Sequence, residues 1–140
     1  MIIAVVDGMG GGLGAQLVAS LVAPMRQKAE VIALGTNALA TNAMLRAGAS
    51  RGASGDNAIL VTLAKVDIVT GPIGIIMANS MMGEVTPQVA AAVADAAARK
   101  VLLPVSQSHV EIIGLEPRPL GLVIREAVAR IGEIVEEGNA

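Results

Sequence analysis

The sequence contains no phenylalanine, tyrosine, tryptophan or cysteine, and only one histidine. Without aromatics, the interior must be filled by Val, Ile, Leu, Ala and Met, and no ring is available on which an unpaired base could stack, so the usual single-strand nucleic-acid surface is excluded. The lack of cysteine removes disulfides, thiolate nucleophiles and Cys-ligated metals. With His109 alone, a histidine-rich metal site within one subunit is excluded too. Charge is also scarce: 16% of residues are charged, the net charge is −2, and the basic residues are scattered. Phosphate-backbone binding needs a clustered basic face, so nucleic acid is not an expected partner.

Long spanning segments are missing as well. Gly8 to Met25 is uncharged but holds several glycines, Gln16, Ser20 and Pro24, and the uncharged run from Ile68 to Gly83 is short and interrupted by Pro72, Asn79 and Ser80. Neither resembles a membrane helix. The N-terminus lacks a basic region and a cleavage site, so it does not read as a signal peptide. A cytoplasmic protein with no membrane partner is the expectation.

What remains is a chain of 140 residues, 54% hydrophobic, which suits one domain over residues 1–140. Ile2 to Val6 is an apolar, β-branched run ending at Asp7-Gly8, as expected of a strand buried on both faces. Val31 to Leu34 and Asp67 to Thr70 read the same way, Arg51 to Ala53 as a short strand, and Val101 to Val105 and Val110 to Ile113 as the last two. Between them, Leu17, Val18, Leu21 and Val22 recur at helical spacing before Pro24, which should end that helix. Further helices are expected over Ala38 to Ala47, over Asp56 to Lys65 with Ser54 or Asp56 as cap, over Ile75 to Met82, and from Thr86-Pro87 onward, with Val89, Val93 and Ala97 on one face. From Leu120, an apolar stripe through Ile124, Ala127, Ile131 and Ile134 marks the clearest amphipathic helix, with a frayed Gly-Asn-Ala tail. Strands alternating with helices imply an α/β fold: a three-layer, Rossmann-like parallel sheet with helices on both faces.

The chemistry concentrates where the first strand meets the first helix. Asp7-Gly8-Met9-Gly10-Gly11-Gly12-Leu13-Gly14 stands in the context that a dinucleotide fingerprint requires. Gly10, Gly12 and Ala15 match G-x-G-x-x-A, whereas Gly8, Gly12 and Gly14 match the G-x-x-x-G-x-G spacing that resembles short-chain dehydrogenases. Glycines let the backbone approach a diphosphate, and the helix N-terminus presents free N–H groups to it. Gly8, Gly10, Gly11, Gly12, Leu13 and Gly14 are therefore the candidate phosphate contacts, with a tight strand–helix turn as the plain alternative. No Lys-Ser/Thr follows, so this is not a Walker A loop.

At the end of the second strand, where an NAD-binding fold places an acid on the ribose, the sequence offers Thr36 and Asn37. They are expected either near a ribose or as caps of the next helix. Gly71, Pro72 and Ile73 should lie at the carboxyl end of the sheet beside the first turn, where they either close the far side of a ligand or form a rigid turn. Asp7 is expected either to brace the glycine loop or to touch a ligand or metal, with bracing the commoner role, and Asn79 and Ser80 to face a ligand or cap a helix end. His109, after Ser106-Gln107-Ser108, is either a general acid–base group or an exposed loop histidine. Without tyrosine, the Tyr-x-x-x-Lys pair of short-chain dehydrogenases cannot form.

Three stretches, residues 5–14, 33–44 and 71–87, together resemble an uncharacterised family of small bacterial proteins filed as a domain of unknown function. The resemblance covers most of the chain. It implies a bacterial Rossmann-like domain and supplies no catalytic residues.

The expected function is binding of a small-molecule nucleotide, NAD or NADP or another adenine nucleotide, with the chemistry unassigned. At this length no separate substrate domain fits, so a catalytic pocket would form between subunits. The alternatives are a non-catalytic sensor signalling through its oligomer, or a structural protein with a vestigial phosphate loop. The high apolar fraction and the methionines at positions 77, 81 and 82 suit a homo-oligomer.

Overall fold

A computed structural model describes residues 1–105 and 109–139. Five strands, β1 (Ile2–Asp7), β2 (Glu30–Gly35), β3 (Gly52–Ser54), β4 (Ile68–Pro72) and β5 (Arg99–Leu103), form one sheet in the order β3-β2-β1-β4-β5. Every pairing is parallel. The helices are α1 (Gly12–Met25), α2 (Ala38–Arg46), α3 (Asp56–Leu63), α4 (Pro87–Asp95) and α5 (Leu120–Asn139), with a single 3-10 turn over Ile73–Ile76.

The continuous apolar runs make the central strands because both faces are covered. Alternate residues divide the core. Ile3, Val5, Val31, Ala33 and Ile68 pack against α1, α2 and α5, while Ala4, Val6, Ile32, Leu34 and Val69 pack against α3 and α4. Branched aliphatic residues fill both layers without any ring, each fully buried Ile or Leu contributing about 1.5–3 kcal/mol. This is the three-layer Rossmann-like arrangement that the alternation of elements predicts.

The differences are local. Pro24 does not stop α1, which runs one residue further, to Met25; its missing N–H costs only one hydrogen bond in the last turn. The cap of α3 is Gly55, at φ 97°, because Ser54 is engaged with Thr41 and Asp56 with Thr86. Strand β5 begins at Arg99, earlier than expected, and Ala97 lies beyond the end of α4. The helix expected over Ile75 to Met82 is replaced by the 3-10 turn and a tight loop in which Asn79, Met81, Met82 and Gly83 all take positive φ, a conformation no helix accommodates. No strand forms over Val110 to Ile113: Val110 makes only an isolated bridge, and these residues are exposed, without the cover that a buried strand needs.

Order within the sheet fixes where a ligand would go. The chain leaves β1 toward β2 and β3, and leaves β4 toward β5, so the direction of winding reverses between β1 and β4. In open α/β sheets the crevice for ligands lies outside the carboxyl ends of the strands at such a reversal.

Candidate functional site

Strand β1 delivers Asp7 to the carboxyl edge, side by side with Gly35 of β2. Asp7 is only 5% exposed. Its carboxylate accepts the N–H of Gly8 at 2.8 Å and of Gly14 at 2.7 Å. Gly11, the residue before α1, has no side chain with which to cap the helix and sits at φ 72°. The last residue of the strand thus caps the helix from below, which is the bracing role expected of Asp7. Burial pushes its carboxyl pKa up, the Gly14 and Gly8 N–H groups pull it back in part, and the nearby Glu84 charge adds to the rise.

Geometry sorts the candidate glycines into two groups. A Cβ on Gly14 would meet the Met44 sulfur at 2.6 Å and Asp7 Cβ at 2.8 Å, and one on Gly11 would meet the backbone of Ala40 at 2.7 Å. These two let α1 pack against β1 and α2. By contrast, a Cβ on Gly10 or Gly12 meets nothing within 4 Å. Among the described residues, the N–H groups of Gly10, Gly12 and Leu13 have no protein acceptor, while that of Gly11 bonds Gly8 O at 2.9 Å. Packing therefore does not demand glycine at positions 10 and 12, and three donors there remain available to an anion.

Of Thr36 and Asn37, Asn37 takes the expected capping role and Thr36 does not. Asn37 Oδ1 caps α2 by accepting the Ala40 N–H at 2.8 Å. Its Nδ2 donates to Met9 O at 3.0 Å and to Glu84 Oε1 at 2.7 Å. The Thr36 hydroxyl donates to the same Glu84 oxygen at 2.6 Å, and the Met9 N–H does so at 3.0 Å. Three donors from two loops thus converge on one carboxylate oxygen. Foremost the Thr36 hydroxyl, set against partial burial and joined by the Met9 and Asn37 donors, holds the Glu84 carboxyl pKa below its ordinary value. Gly8 makes the clasp possible, since a Cβ there would lie 2.6 Å from Thr36 Oγ1, 2.8 Å from the Met81 sulfur and 3.2 Å from Glu84 Oε1.

Glu84 escaped the sequence reading because its partners lie 47, 48 and 75 residues away along the chain. One signal was present: Glu84 is the only charged residue between Asp67 and Asp95. The three stretches that carried the family resemblance each contribute to this clasp, through Met9, through Thr36 and Asn37, and through Glu84.

The remaining candidates lie elsewhere. Gly71 and Pro72 are buried in β4, and a Cβ on Gly71, at φ 156°, would stand 2.2 Å from Val6 O, so glycine there serves the close approach of β4 to β1. Ile73 lines a different cavity, of about 660 Å3, between the end of β5, the segment 110–118 and the start of α5. Ser80 braces the loop after β4 by donating to Gly74 O at 2.5 Å, and Asn79 turns that loop at φ 65°. His109 is exposed and its side chain makes no hydrogen bond among the described residues; Ser106 to Ser108 lie outside them. Among the described residues, no three His, Asp or Glu side chains converge to hold a metal ion, and no helix is long and apolar enough to cross a membrane.

No curated protein and no solved structure matches the chain. A family model described as a domain of unknown function, DUF3842, matches residues 2–136, and the chain belongs to that family.

Proposed function

We propose that the protein binds a nucleotide of the NAD(P) type through the β1–α1 turn. The observation that carries this reading is the set of unengaged donors at Gly10, Gly12 and Leu13, with open space where the Cβ atoms of residues 10 and 12 would be. They stand at the start of a helix of 14 residues, at the carboxyl end of β1 beside the reversal of the sheet order. A diphosphate there accepts from backbone N–H groups and meets the positive end of the helix dipole, so no Lys or Arg is required. Thr36 and Asn37 lie on the ribose side.

The test is thermal unfolding against NAD, NADP, ATP, GTP, FAD and S-adenosylmethionine. A ligand at 100 times its dissociation constant adds about 2.7 kcal/mol, a rise on the order of 5–10 °C for a domain of this size. Gly12→Val should remove that rise and leave the unliganded melting temperature nearly unchanged, because its Cβ faces open space. An equal rise in the variant sinks the reading.

A second observation supports self-association. Ile112, Ile113, Leu115, Leu120 and Leu122 are exposed along one stretch, Ile113 at 96%. Exposed apolar residues so close together in the chain suit contact with a second copy of it.

A further inference from the structure

Rossmann-type sites distinguish a free ribose from a 2′-phosphorylated one by the charge placed at the tip of the second strand. Here β2 ends at Gly35 and is followed by Thr36-Asn37, with no acid and no arginine. The loop after β4 supplies the missing charge. It carries Glu84 back past the β1–α1 turn to the tip of β2, where Met9, Thr36 and Asn37 hold it.

From this placement we propose that Glu84 is the specificity residue of the site, accepting the 2′ and 3′ hydroxyls of a ribose and excluding a nucleotide that carries a 2′-phosphate. The inference rests on the nucleotide reading above. Two features make Glu84 an acceptor for the ligand, not an internal anion filling the phosphate position. All three protein donors fall on Oε1, and Oε2 accepts from none among the described residues, so it is free to receive ribose hydroxyls. The donors at Gly10, Gly12 and Leu13 are left untouched, so the carboxylate stands beside the phosphate position and does not occupy it. A carboxylate fixed at this point by three donors accepts from a vicinal diol but repels a phosphomonoester.

The experiment is titration calorimetry of the full chain with NAD and with NADP, on the wild type, on Glu84→Gln and on Gly12→Val. The wild type should bind NAD at least about tenfold more tightly than NADP, and Glu84→Gln should weaken NAD by about tenfold while bringing the two affinities together. Gly12→Val should lose both ligands. Equal affinities in the wild type, or tighter NAD binding in Glu84→Gln, overturn the role of Glu84 while leaving the phosphate reading standing if Gly12→Val still abolishes binding. If neither ligand binds the wild type, both readings fall together. Thermal unfolding of Glu84→Gln separates lost recognition from lost folding. If that variant does not fold, Thr36→Val, which removes one donor to the carboxylate, must narrow the NAD over NADP preference, and an unchanged preference there overturns the proposal.

Discussion

Asp7 and Glu84 stand about the same turn, yet their environments push their pKa values in opposite directions. Asp7 is raised chiefly by burial, so its protonated form favours the folded state; its contribution is greatest in acid and is lost as pH rises through its folded value. Glu84 is lowered chiefly by the Thr36 hydroxyl, so its contribution is present above the ordinary carboxylate range and is lost as pH falls through its folded value. Glu84→Gln should therefore cost stability at neutral pH, on the order of 1 kcal/mol for weakened charge-assisted hydrogen bonds. The difference from wild type should shrink steadily in melts taken from pH 7 down to pH 3. A difference that stays constant over that range would mean that the carboxylate is not charged within the clasp.

At the scale of elements, the loop between β4 and α4 is the least regular part of the site and decides where Glu84 stands. Met81 and Met82 are consecutive left-handed residues, at φ 55° and 56°, followed by Gly83 at φ 88°. For a residue with a Cβ this conformation costs about 1–2 kcal/mol. Met81 is half-buried with its sulfur close above Gly8, but Met82 is 93% exposed and packs on nothing that would offset the cost. Met82→Gly should raise stability by about 0.5–1 kcal/mol, the relieved strain less the entropy that glycine adds to the unfolded chain. Chemical denaturation measures it; a loss of stability would show that Met82 is not left-handed in solution.

This loop also marks the limit of what the sequence discloses. Strands β1, β2 and β4 are legible because a short, continuous, β-branched run has few other ways to be buried. The amphipathic stripe of α5 and the Thr86-Pro87 start of α4 are legible because they depend on neighbours one turn away. Asn37 as a cap and Gly8 to Gly14 as a turn belong to the same local class. The stretch from Ile75 to Met82 looks helical by composition, but its path is set by Ser80 bonding Gly74 and by Asn79 donating its N–H to Val85 O at 2.6 Å. Glu84 is a partner of residues brought near only by the parallel sheet. Local pattern carries no information about such a contact, which is why the tip of β2 reads as lacking an acid until the fold closes.

For the molecule as a whole, the sheet buries most of what is apolar, and six of the exposed large apolar residues fall between Val110 and Leu122. Strand β5 pairs only with β4. The segment that follows it runs from exposed Val110 through Ile113 and Leu115 to Leu120 and Leu122 at the start of α5, over the cavity of about 660 Å3. On the opposite flank α5 is anchored by Ile131, Ile134 and Val135 in the core and by the Lys28–Glu136 ion pair, so its outer apolar residues do not result from a helix docked loosely. Leaving such a surface in water is unfavourable by about 25 cal/mol per Å2, whereas pairing it with a second copy removes it from solvent twice over. Sedimentation velocity over a range of concentrations should accordingly show a species heavier than the monomer mass of 14.1 kDa. Ile113→Asp places a charge on the most exposed apolar residue of that stretch and should shift the distribution to monomer without lowering the melting temperature of the domain. A wild type that sediments as a monomer throughout, or an Ile113→Asp variant that stays associated, would place any contact between copies elsewhere on the fold.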